Sequence, residues 1–205
     1  MCVDSGFHAT FNRANVELVD LNDAPIERIT PEGIRTRGGE YPVDAIVFAT
    51  GFDAMTGTLA RVDIRGREGL ALNDKWAEGP RTYLGLMSAG FPNLFTITGP
   101  GSPSVLSNMV VSIEQHVEWI ADLLDDMERR GARLVEPLPE SEAPWGDHVN
   151  AIAETTIFMQ ANSWYLGANI PGKPRVFMPL AAGFPAYVER CAAVASNGYE
   201  GFALA

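Results

Sequence analysis

Two stretches of this 205-residue sequence hold residue types that could do chemistry on a bound molecule. The first is Gly99-Pro100-Gly101-Ser102-Pro103-Ser104, set between the apolar run Asn93 to Thr98 and a helical pattern that follows it. A helix N-terminus presents free N–H groups and a partial positive charge, so it suits an anion or the electron-rich edge of a ring. Gly99 and Gly101 would let the backbone approach a ligand closely. The turn is not a complete dinucleotide fingerprint. The third glycine is missing, and no second strand ends in an acidic residue about 20 positions on. The pattern fits a ligand site and a plain strand-to-helix connection alike. The second stretch is Asn162-Ser163-Trp164-Tyr165, close to Gly167, Asn169, Gly172 and Lys173. Aromatics, amides and a lysine in a glycine-bearing loop can stack on a ring and meet a phosphate. The same Trp and Tyr would also serve to cover a core.

Other chemistries find less support. His8, His116 and His148 are far apart, and Glu114-Gln115-His116 lacks the two-histidine spacing of a zinc helix, so these histidines read as structural or surface residues and no metal is expected. No Gly-x-Ser-x-Gly elbow is present to anchor serine hydrolysis. Cys191 falls on the apolar face of a predicted helix, while Cys2 stands at the very start of the chain. Two cysteines do not make a disulfide framework, which points to a reducing cytosol. Lys plus Arg is 15 and Asp plus Glu is 26, a net charge of −11 that argues against a nucleic-acid binder with a basic face. There is no apolar run near the roughly 20 residues of a membrane span, and no secretory signal opens the chain. A soluble, acidic, cytoplasmic protein is expected.

The elements that must position these residues follow from the hydrophobic pattern. Asn15 to Asp20 reads as a short strand. Ile26–Thr30, a turn at Pro31–Gly33, Ile34–Thr36 and a turn at Gly38-Gly39 read as a small antiparallel meander. Val43 to Gly51 is a continuous apolar run, the pattern of a strand buried on both faces of a parallel sheet. Residues 52 to 90 read as a long excursion with short strands, and Asn93–Thr98 as a second buried strand. A helix is predicted from near Ser104. Its apolar stripe is Leu106, Met109, Val110, Ile113, Val117, Ile120, Leu124 and Met127, and Gly131 is its cap. Ser141 caps a further predicted helix carrying Trp145, Val149 and Ile152. Phe158 to Met178 is a loop, and a last helix with Tyr187, Cys191 and Val194 is closed by Asn197-Gly198.

On these residues a family resemblance emerges. Phe48-Ala49-Thr50-Gly51-Phe52-Asp53-Ala54-Met55-Thr56-Gly57 resembles the Ala-Thr-Gly motif of class B flavin monooxygenases, and its Asp53 and Gly57 are similar to the Baeyer–Villiger branch. Gly79 to Gly85, Gly90 to Phe95, Gly99 to Ser104, Ser112 to Ile120, Ala161 to Tyr165, Gly167 to Lys173 and Gly198 to Phe202 follow in the family's order. The resemblance covers essentially the whole chain, with the cyclohexanone and phenylacetone monooxygenases looking closest. It implies an α/β fold, the C-terminal part of a Rossmann-like flavoprotein with two dinucleotide-binding domains. Both glycine fingerprints, the family's His- and Trp-bearing signature and its catalytic arginine match nothing here, so no catalytic residue is assigned.

In family terms residues 1–40 are the exit from the NADP domain. Residues 41–135 are the C-terminal half of the FAD domain, and 136–205 the C-terminal helical part with a mobile cofactor loop. The implied cofactors are FAD and NADP, the substrates a ketone and O2, and the product an ester or lactone. Protein groups would orient the flavin while the cofactor carries the ring chemistry. The turn at Gly99, Gly101 and Ser104 would hold the flavin side. Val105, Leu106 and Met109, the last about one and a half turns into the helix, would line the flavin and substrate space. Trp164 matches a tryptophan that contacts NADP from a closing loop, with Lys173 nearby. The rivals are a flavin monooxygenase that oxidises nitrogen or sulfur, and a non-catalytic remnant that needs missing N-terminal segments.

Overall fold

A computed structural model describes residues 5–205, so the reading of Cys2 lies outside the described residues. The chain forms two compact units, one ending at Gly51 and one over Phe52–Ala205. The first holds a single helical turn, α1 (Phe7–Thr10), and the expected meander: β1 (Ile26–Thr30), β2 (Gly33–Thr36) and β3 (Gly39–Pro42), antiparallel in that order. Ile34 pairs with Ile29 on one side and with Tyr41 on the other. The first turn is tied by the Thr30 hydroxyl, which accepts the Gly33 N–H at 3.1 Å. A Cβ on Gly33 would lie 2.1 Å from Tyr41 O, so only glycine fits there.

Two expected strands do not form in this unit. Asn15–Asp20 is irregular and mostly exposed. Val43–Gly51 is irregular beyond the bond from the Val43 N–H to Glu32 O, with a bend at Asp44 and with Val47 and Phe48 exposed. A strand is stable only when its N–H and C=O groups find a neighbour, and among the described residues no strand of this chain lies beside it.

The second unit is mainly helical. Two short turns, α2 (Gly57–Ala60) and α3 (Leu72–Lys75), replace the short strands expected over 52–90, where only isolated bridges such as Tyr83 with Met87 occur. Phe95 makes one such bridge, so Asn93–Thr98 is not the expected strand either. Then come α4 (Met109–Arg130), β4 (Val135–Pro137), α5 (Pro139–Glu154), α6 (Phe184–Ser196) and β5 (Phe202–Leu204), the last antiparallel to β4.

The helix α4 begins at Met109, not near Ser104. Asn108 is its cap, its side-chain oxygen accepting the N–H groups of Val110 at 3.1 Å and Val111 at 3.4 Å. Gly131, left-handed at φ 71°, ends it as expected. The stripe that faces the core is not the expected one, however. Ser112, His116, Trp119, Leu123 and Met127 are buried, while Val110, Ile113, Val117 and Leu124 are exposed. The core face is chosen by groups that bond across it. Trp119 Nε1 donates to Cys191 O at 3.0 Å, and His116 meets Tyr187.

Around that face a single core joins Tyr83, Leu84, Trp119, Trp145, Tyr187 and Phe202, so the packing runs unbroken across residue 135. In α5, Trp145 and Val149 are buried as expected, but the helix starts at Pro139 and Ser141 does not cap it. Proline suits the first helical position because its missing N–H would have no partner there. Glu142 is buried because its carboxylate accepts from Lys75 Nζ and from Ala89 N, both at 2.8 Å. Cys191 is a free, fully buried thiol, and burial pushes its pKa up to about 11. Among the described residues no helix is long and apolar enough to cross a membrane.

Candidate functional site

Within the second unit a cleft of about 430 Å³ lies between the Thr96–Gly99 turn, the segment Ala54–Leu59 and the start of α4. It brings together five of the residues singled out from the sequence: Gly99, Ser104, Val105, Met109 and Trp164. Met55, Leu59, Phe95 and Ile97 complete its apolar surface, and no residue lining it has an ionisable side chain. Such a lining cannot move protons by itself. It can hold a flat, largely apolar group that brings its own reactivity.

Strained backbone gathers at this cleft. Among the described residues seven non-glycine residues adopt positive φ, and three of them, Met55 (φ 64°), Thr98 (φ 51°) and Ser104 (φ 47°), line it. Each left-handed non-glycine residue costs about 1–3 kcal/mol, and such strain persists where the surroundings hold it for a purpose. Ser104 Oγ lies 3.5 Å from Met55 Sδ, joining two of the three.

The aromatic loop is built locally. Ser163 Oγ accepts the Tyr165 N–H at 3.2 Å, and Gly167 at φ 69° closes the turn Trp164–Leu166. Tyr165 packs edge-on against Phe158 and Phe177, and Trp164 lies edge-on to Tyr165 with ring centres 4.4 Å apart. Three polar contacts tie the loop to residues 52–54: Asn169 Nδ2 donates to Phe52 O at 3.2 Å, and Lys173 Nζ meets Asp53 Oδ1 at 2.5 Å and Ala54 O at 3.2 Å. Asp53 in turn lies over Gly57, where a Cβ would come within 2.5 Å of its carboxyl carbon. That contact explains why Asp53 and Gly57 occur as a pair.

Behind the cleft wall, His116 is fully buried. Its Nδ1 accepts the Thr98 N–H at 2.9 Å, and its Nε2 is 2.9 Å from Tyr187 Oη. Burial lowers its pKa to about 4.

The remaining singled-out residues stand elsewhere. Gly101 is buried against Thr82 and Trp145, whose Nε1 donates to Gly101 O at 3.0 Å. Leu106 packs on the second small core of Ala153, Leu166 and Phe177. Lys173 faces Asp53 instead of open space for a phosphate. Even Gly99 owes its identity to packing, since a Cβ there would lie 2.5 Å from Gly85 O. Sequence reasoning missed Met55, Thr98 and Asp53 as parts of this site. Only the pairing of Asp53 with Gly57 in the motif could have pointed to one of them. A hollow of about 490 Å³ between α5 and α6, lined by Tyr83, His148 and Arg190, contains none of the singled-out cofactor residues.

No family model matches the chain. Individual proteins do. It is 44% identical over 196 residues to a Baeyer–Villiger monooxygenase of Pseudooceanicola batsensis, covering 95% of this chain and 36% of that protein. It is 41% identical over 201 residues to cyclohexanone 1,2-monooxygenase of an Acinetobacter species, covering 97% of this chain and 36% of the other. The solved complex of OTEMO with FAD and NADP matches at a TM-score of 0.91 and 42% identity, over 98% of this chain and 37% of that one. A phenazine N-monooxygenase of Lysobacter antibioticus is 38% identical over 199 residues, 97% of this chain and 36% of that protein. In each case the chain spans little more than a third of the protein it matches.

Proposed function

We propose that this chain, similar over nearly its whole length to Baeyer–Villiger monooxygenases, is the C-terminal part of an FAD- and NADPH-dependent enzyme that converts ketones to esters or lactones with O2. One observation carries the reading: a ligand-sized cleft with no ionisable side chain, ringed by strained backbone and bordered by a tryptophan on a tethered loop. FAD, when bound, supplies the redox and oxygen chemistry, and NADPH supplies the electrons. The protein's residues would then bind and orient. Met109, Val105, Ser104 and the Thr98–Gly99 turn would form one wall of the flavin and substrate space. The start of α4 adds the positive end of its dipole, although Asn108 already occupies two of its N–H groups. Trp164 would close over the nicotinamide side with its apolar face and single N–H. Lys173 and Asp53 would set how far the loop closes, with Leu106 and Gly101 supporting from the cores behind.

In this reading residues 1–40 leave the NADP domain, 41–135 complete the FAD domain and 136–205 form the C-terminal part, in a cytoplasmic protein. The exposed run at Val47 and Phe48 and the exposed stripe of α4 support it, since both are surfaces that a larger protein would cover. The phenazine relative favours a second reading, oxidation of an aromatic nitrogen.

The test is Trp164→Ala in the complete polypeptide. It should uncouple NADPH consumption from product while flavin content and melting temperature stay unchanged. A tryptophan that only covers the core would instead lose stability and flavin together. Intact coupling in the variant would remove Trp164 from the cofactor.

A further inference from the structure

The buried contacts of His116 admit one arrangement of protons. Nδ1 accepts from the Thr98 backbone, so it carries no hydrogen. The hydrogen of the neutral ring is therefore on Nε2, 2.9 Å from Tyr187 Oη. The Tyr187 hydroxyl accepts it and sends its own hydrogen to Leu84 O, 2.7 Å away, a carbonyl that can only accept. The direction of the chain is thus set from both ends, by a backbone donor at Thr98 and a backbone acceptor at Leu84.

What this chain holds is the wall of the cleft. Thr98 is β-branched and left-handed, a conformation it does not keep unaided. Its N–H is drawn toward the buried imidazole, away from the cleft. Because N–H and C=O of a trans peptide point in opposite directions, the Ile97 carbonyl is turned the other way, and Ile97 and Thr98 both line the cleft. His116 also stands on the helix whose first residue, Met109, lines the same space. One ring therefore locks two walls together.

We propose that His116 is a positioning residue: as the Nε2–H tautomer it fixes the Ile97–Thr98 peptide against which the bound ring lies. The identity of that ring rests on the function proposed above, whereas the locking of the peptide does not. Two measurements on the complete polypeptide test it. Nitrogen NMR with labelled histidine should find His116 with its hydrogen on Nε2 and a bare, accepting Nδ1. A hydrogen on Nδ1 overturns the proposal, and this result needs no variant that folds. The second measurement compares His116→Gln, whose carboxamide can accept from Thr98 and donate to Tyr187, with His116→Leu, which can do neither. Amide exchange at Thr98 should rise about tenfold or more in the leucine variant and return to within about threefold of wild type with glutamine. The KM for ketone should follow the same order, with kcat less affected. Equal exchange in wild type and both variants would show that the imidazole positions nothing. If the wild-type protein binds no flavin, the function fails while the exchange data still decide the role of His116.

Discussion

Cutting the pair between Lys173 and Asp53 should free the loop over residues 162–173, and burial sets the size of the effect. The Lys173 side chain is 14% exposed and that of Asp53 28%. The pair thus stands between exposed pairs, worth under about 1 kcal/mol, and buried ones, whose breaking costs about 3–5 kcal/mol. In Asp53→Ala the ammonium keeps the Ala54 carbonyl, and Asn169 still holds Phe52 O. A loss of about 2 kcal/mol follows, or about 30-fold in the population of the open loop. The assay is tryptic cleavage after Arg175, whose guanidinium is tied to Asn162 Oδ1 at 2.6 Å and Ala161 O at 2.9 Å while the loop is closed. At low protease the cleavage rate follows the open population. Asp53→Ala should raise it about 30-fold, Lys173→Met, which also loses the Ala54 contact, at least as much, and the double variant no further than Lys173→Met. Rates within about threefold of wild type, or a double variant in which the two effects multiply, would refute the latch.

The other expectations concern the buried polar groups. Lys75 and Glu142 are 13% and 8% exposed, so Glu142→Ala should lower unfolding free energy by about 3–5 kcal/mol in urea titrations; a loss under about 1 kcal/mol would contradict the role assigned to the pair. Glu142→Gln, which can still accept the Ala89 N–H, should cost less. Acid should weaken the fold through His116. With its folded pKa near 4, below the ordinary 6.5, the unfolded chain binds the extra proton first, so this stability is complete above about pH 6.5 and is lost as pH falls toward about 4. Between about pH 7 and about pH 4.5 wild type should lose about 2 kcal/mol more than His116→Gln, and an equal loss would show that the buried histidine does not titrate this way.

How far the sequence could be read depended on the range of the forces involved. The β1–β3 meander and helices α5 and α6 were legible because local turns and the helical period set them. Helix α4 was legible as a helix, but its inner face was not. It carries apolar residues on two sides, and the choice between them was made by His116 and Trp119 bonding to α6. The apolar runs 43–51 and 93–98 carry the composition of strands, yet among the described residues neither belongs to a sheet, the second making only an isolated bridge. The cleft was half legible: Met109, Ser104, Val105, Gly99 and Trp164 were singled out, and the structure places them on one surface. Met55 and Thr98 were not, because nothing local announces a left-handed methionine or threonine. The contact between Asp53 and Lys173 joins residues 120 positions apart, and only the fold brings them together.

The central claim is that this chain forms one side of a flavin site in an enzyme that inserts oxygen beside a ketone. The most direct test expresses it together with the coding sequence upstream and supplies NADPH, isotopically labelled O2 and a panel of cyclic, linear and aryl ketones. The expected result is a yellow protein that consumes NADPH and yields an ester or lactone with one labelled oxygen atom, the other leaving as water. A protein that holds no flavin, or one that oxidises an aromatic nitrogen and leaves every ketone untouched, would contradict it.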